Sequence, residues 1–71
     1  MKITRKMAQK VGNKLGVDWE KINLTQFKMG LKVELEHKDV THGDLEMTGK
    51  IALAHLEEYP DYYTRLKKVE T

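Results

Sequence analysis

No cysteine occurs anywhere in the 71 residues, and in a protein this short that is the tightest constraint on what it can fold into. Disulfide staples and thiolate metal sites are both excluded, so stability must come from packing, from a non-thiolate metal site or from self-association. A domain of this size hides only about 60% of the surface that its unfolded chain exposes, and its core rarely supplies more than roughly 3 to 5 kcal/mol. A carboxylate or imidazole buried without partners costs about 1 to 3 kcal/mol, and more if charged, which is a large part of that total. Polar residues on apolar faces must therefore be paired, metal-bound or kept near solvent.

With 39% hydrophobic and 34% charged residues, the sequence describes one small domain over residues 1–71. Its longest apolar run, Ile51 to Ala54, is too short for a membrane-spanning helix or the core of a secretion signal. A cytoplasmic location without membrane association is expected. The net charge of +2 conceals a division along the chain. Residues 1–32 carry eight basic against two acidic side chains, and residues 33–71 carry five basic against nine acidic. The basic half can meet an external anion such as nucleic acid, or it can face the acidic half within the fold. The second reading is preferred, because neither a strongly basic overall balance nor a nucleic-acid docking motif is present.

Apolar spacing predicts an all-α bundle of three to four short helices. From Ile3, side chains recur at Met7, Ala8, Val11 and Leu15 at helical spacing, and Gly16 suits a C-terminal cap. Lys6, Lys10 and Lys14 form a stripe beside that face. Asp18 is expected to cap a short turn through Trp19 and Ile22. A second helix is expected from Thr25 as N-cap, with Phe27, Leu31 and Leu35 on one face before His37, Lys38 and Asp39. After a turn-rich stretch, Asp44 is a natural N-cap for a third helix ending near Glu58. Pro60 fits the first turn of a fourth, with Tyr62, Leu66 and Val69 inward. No strand-like alternation or internal repeat is visible.

Charged residues on these inward faces are the unusual feature. Glu34 falls inside the face of Phe27, Leu31 and Leu35, and His37 borders it one turn on. His55 falls among Thr48, Ala52, Leu56 and Tyr59 on the third helix, with Glu58 three residues away at the border. A short loop makes the two helices antiparallel neighbours, so Glu34, His37, His55 and Glu58 can converge. The simplest outcome is a Glu34–His55 hydrogen bond tying the helices, with His37 and Glu58 solvated. A sharper one is a mononuclear site for Zn, Mn or Fe, since two imidazoles and two carboxylates suit those ions. A third is an acid/base pair acting without metal.

Other motifs carry less. Thr48, Gly49 and Lys50 resemble the end of a phosphate-binding loop, but the glycine spacing is wrong and Ile51 replaces the required hydroxyl residue. Gly49 reads better as a close approach between helices, at about 1 kcal/mol relative to Ala. Tyr59, Asp61, Tyr63 and Arg65 suggest an amphipathic edge for a protein partner, against the plainer reading in which Tyr59 and Tyr62 pack with their hydroxyls at the rim.

The segments VELEH (Val33 to His37) and GKIALAHLEEYPDYYTRLKKVE (Gly49 to Glu70) resemble a family of small uncharacterised prokaryotic and phage helical proteins, a domain of unknown function with VELEH and IALAHL-x-E-x-PDYY-x-RL signatures. With LGVDW (Leu15 to Trp19) the similarity spans about three quarters of the chain. The resemblance implies that Glu34, His37, His55, Glu58 and Asp61 lie within signature segments, and it transfers no activity.

The expected function is a small binding or adaptor domain with a protein partner or a second copy of itself, and with a metal site at Glu34, His37, His55 and Glu58. The alternatives are a minimal metal-dependent enzyme using the same residues, which would need an open coordination position, and a nucleic-acid accessory protein using Lys6, Lys10 and Lys14.

Overall fold

The structure, a computed structural model, describes residues 2–36 and 44–70, with side chains as far as Lys67. Four helices account for its regular elements: α1 (Arg5–Lys14), α2 (Leu24–Leu35), α3 (Leu45–Glu58) and α4 (Tyr62–Glu70). No strand occurs among the described residues, and none of their helices is long and apolar enough to cross a membrane.

Local chemistry sets each boundary. Thr4 caps α1 by accepting a hydrogen bond from the Met7 amide at 3.1 Å, and Ile3, just before the cap, is buried. At the other end Gly16 takes φ +76°, a left-handed conformation that costs glycine little. The Val17 amide then reaches the Gly12 carbonyl at 2.9 Å and the Gly16 amide the Asn13 carbonyl at 3.1 Å, which satisfies the last carbonyls of the helix. Asp18 organises the connector as expected: its carboxylate accepts from the Glu20 amide and its carbonyl from Lys21 and Ile22.

The second helix starts earlier than the expected cap at Thr25. Asn23 caps it instead, accepting from the Thr25 and Gln26 amides at 2.8 and 3.2 Å. The Thr25 hydroxyl is left to accept from Arg5 Nη1 at 3.1 Å, joining the starts of α1 and α2. Asp44 caps α3 through the Glu46 and Met47 amides, and the helix ends at Glu58.

Helix α2 is central, packing against α1, α3 and α4. The core contains Phe27, Leu31 and Leu35 of α2, Ala52 and Leu56 of α3, Ala8 of α1, Ile3, Ile22 and Tyr63. Thr48 is also fully buried, its hydroxyl donating to the Asp44 carbonyl at 2.6 Å. Two glycines allow the close approaches. A Cβ at Gly49 would stand 2.8 Å from Leu15 Cδ1 and 2.9 Å from Val11 Cγ1, so α1 and α3 touch there. A Cβ at Gly30 would overlap the Tyr63 ring and stand 2.9 Å from Ala52 Cβ, so α2, α3 and α4 meet there.

The last helix is rotated from the expected phase. Tyr63 points inward and is 1% exposed, while Tyr62 and Leu66 are half-buried and the side chain of Val69 lies outside the described residues. Pro60 sits in the turn before α4, where the Tyr62 amide bonds the Tyr59 carbonyl at 2.9 Å. That later start turns the next ring, Tyr63, toward α2.

Candidate functional site

Glu34 lies one helical turn beyond Gly30, and the missing side chain at Gly30 is what gives Tyr63 its seat. The ring rests where a Cβ would be, and the hydroxyl extends to the following turn of α2. There it donates to Glu34 Oε2 at 2.9 Å. His55, from α3, brings Nδ1 to 3.3 Å from the same carboxylate oxygen and 3.2 Å from the phenol oxygen. Three helices thus contribute one group each to a cluster across which no donor–acceptor distance exceeds 3.3 Å.

Hydrogen accounting fixes how the groups bond. The phenol has one hydrogen, and Glu34 receives it, so the imidazole must supply the hydrogen for its own contacts. His55 therefore carries hydrogen on Nδ1, either as the neutral Nδ1–H tautomer or as the imidazolium. Aromatic packing holds the imidazole in that orientation: it stacks on Tyr62 with ring centres 4.5 Å apart and planes 7° from parallel, and meets Tyr63 edge-on.

The cluster is graded from inside to outside. Tyr63 is buried, the Glu34 side chain is 13% exposed, and that of His55 is 35% exposed. Burial is the main force raising the proton affinity of the Tyr63 phenol far above its ordinary value. The hydrogen bond to Glu34, its negative charge and the neighbouring Tyr62 act in the same direction. Near neutral pH the phenol is accordingly a fixed donor to the carboxylate.

Of the four residues expected to converge, Glu34 and His55 meet. Glu58 is exposed at the end of α3, and His37 lies outside the described residues. Among those residues, no three His, Cys, Asp or Glu side chains gather in a way that could hold a metal ion. The partner that sequence reasoning missed is Tyr63. Its signal was Gly30 one turn before an inward glutamate, a vacant seat from which a distant aromatic hydroxyl could reach the carboxylate.

Tyr63 is correspondingly removed from the expected partner-binding edge, because its ring lies in the core. Tyr59 was expected on the inward face of α3 and is instead 45% exposed, since the backbone leaves the helix there with φ −136° and ψ 105°. The Arg65 guanidinium lies 5.5 Å from the centre of the Tyr59 ring and bonds Asp61 through Nε at 2.8 Å. Tyr59, Tyr62, Arg65 and Leu66 line a shallow concavity of about 280 Å³. On α1, Lys6, Lys10 and Lys14 are exposed, and Lys14 approaches Glu46 at 3.7 Å, one contact between the basic and acidic halves.

A family model described as "Protein of unknown function (DUF5661)" matches residues 8–71. No curated protein and no solved structure matches the chain.

Proposed function

The chain belongs to DUF5661, a family of unknown function, and from its own residues we propose that it is a small helical binding domain that docks a protein partner on the edge formed by Tyr59, Tyr62, Arg65 and Leu66. The observation that carries this reading is the exposed Tyr59 ring with the Arg65 guanidinium over it. Tyr and Arg are the residue types that most often dominate interface energies, and Met47 and Tyr59 are the large hydrophobic side chains left exposed among the described residues. The Asp61 carboxylate and the Tyr59 ring hold Arg65 in place, which lowers the entropy lost on docking. Leu66 provides an apolar floor.

Photo-crosslinking from a benzophenone side chain at position 59 tests the proposal in cells. Discrete adducts are expected from position 59 and not from the exposed position 20 on the α1–α2 connector, and Arg65→Glu should remove them. Adducts no different from those at position 20 defeat the reading.

A second reading, nucleic-acid binding through α1, rests on the exposed Lys6 and Lys10 in a helix without an acidic residue. A gel shift should then weaken steeply between low and moderate salt. No retardation even at low salt ends it. We further propose that VELEH and residues 49–70, which fall within the matched stretch, carry the family's signature, and that the protein acts in the cytoplasm of prokaryotes or of phage-infected cells.

A further inference from the structure

The Glu34, His55 and Tyr63 cluster contains one carboxylate oxygen, one imidazole nitrogen and one phenol oxygen, all atoms that transition metals take as ligands. Their separations are 2.9 Å between Tyr63 and Glu34, 3.2 Å between Tyr63 and His55, and 3.3 Å between His55 and Glu34. Three donors about 3.1 Å apart can each lie about 2.0 to 2.1 Å from one ion if the ion sits about 1 Å off their plane. The three spacings already match that distance requirement.

The scaffold holds the triangle firmly. Each donor comes from a different helix, with the Tyr63 ring seated on Gly30 and the His55 ring stacked on Tyr62. Glu34 and Tyr63 form the buried floor, and His55 is the more open side, so an ion can enter there and complete its coordination with water. The ligand set keeps Glu34 and His55 of the sequence-expected Glu34, His37, His55 and Glu58, and takes a tyrosine hydroxyl in place of the other two. A carboxylate and a phenolate are hard anionic donors, and displacing the phenol hydrogen favours the ion of highest charge.

We propose that Glu34, His55 and Tyr63 form a tyrosinate site for ferric iron. On binding, the phenol proton leaves to solvent, and the His55 Nδ1 proton leaves with it or moves to Nε2 through water. The iron stays ferric, so no electron is exchanged. Tyr62 borders both this site and the proposed docking edge, but none of the three ligands belongs to that edge, so the proposal stands or falls without it.

The test uses ferric nitrilotriacetate as the iron source, followed by desalting, iron analysis and visible spectroscopy of the full chain. About one iron per chain and a broad visible phenolate-to-iron charge-transfer band are expected, with Zn(II) and Mn(II) giving no colour. Tyr63→Phe, checked for folding by circular dichroism, should lose the band. Glu34→Gln and His55→Ala keep the phenol and should weaken iron binding by at least about 10- to 100-fold, the loss seen when a group that only supports a ligand is removed. They carry the test if the phenylalanine variant does not fold. Three results overturn the proposal: a colourless protein without iron, bound iron without the band, or a band that survives in folded Tyr63→Phe or at full strength in both other variants.

Discussion

Glu34 can stay inside the fold because the Tyr63 hydroxyl donates to its carboxylate and His55 Nδ1 stands 3.3 Å from the same oxygen, and the cost of losing the phenol can be measured. Tyr63→Phe keeps the ring on Gly30 and removes the hydroxyl that donates to Glu34 and accepts from His55, so unfolding in urea should show a loss of about 1.5 to 3 kcal/mol, the range for a hydrogen bond to a charged group. Glu34→Gln should lose about 1 to 3 kcal/mol. The double variant should lose less than the sum of the two, since both changes disable the same contact. Strict additivity would mean that the contact does not exist in solution. The phenol also predicts an alkaline response. Its proton affinity is raised in the folded state, so its contribution is complete below the ordinary phenol range near pH 10 and is lost as pH rises above that range. In the metal-free protein, part of the phenolate absorbance should lag behind that of the urea-unfolded chain during titration, and Tyr63→Phe should remove the lagging part. Coincident native and unfolded curves would place Tyr63 outside the core.

Packing between helices turns on a different residue, Gly30, where an added methyl meets the Tyr63 ring and Ala52 Cβ at once. Helix propensity alone would make Gly30→Ala stabilising by about 1 kcal/mol. Overpacking should reverse the sign, with a net loss of about 1 to 3 kcal/mol in thermal or urea unfolding, because the obstacles are a buried ring and another helix. A variant as stable as the parent would show that α2 and α4 are not in contact there. Much of this arrangement was legible in the sequence. Phe27, Leu31 and Leu35 repeat at helical spacing and are buried, and Asp44 and Glu58 bound α3 as expected because an N-cap residue precedes the periodic stretch and Pro60 follows it closely. The same periodicity placed Glu34 and His55 on facing helices, where they meet. Two kinds of information were missing. Asn23 and Thr25 are both good caps, and only the three-dimensional pairing of Thr25 with Arg5 separates their roles. Tyr62 and Tyr63 are adjacent and chemically identical, so the choice of inward ring depends on where α4 begins, a matter of backbone geometry around Pro60. Tyr59 was misplaced for a related reason: a helical wheel extended past Glu58 follows a helix that has already ended.

At the scale of the whole molecule, the question raised by so short a chain without cysteine is whether one copy is enough. The radius of gyration is 11.1 Å, and about 11 Å is expected of a compact chain of this length. The four helices enclose a core to which each of α1, α2, α3 and α4 contributes at least one buried side chain, and the buried glutamate is satisfied within the same chain. Among the described residues, the buried apolar side chains pack against one another within the single chain. Unfolding should therefore be a property of the single chain. An obligate dimer behaves otherwise: its folded state is stabilised by mass action, so its midpoint rises with protein concentration. The expectation is that urea midpoints and melting temperatures coincide across a hundredfold range of concentration in the metal-free protein. A midpoint that rises steadily with concentration would show that part of the stability resides between copies. The exposed Tyr59 edge would then be the first place to look, and Arg65→Glu should abolish the concentration dependence if that edge is the contact.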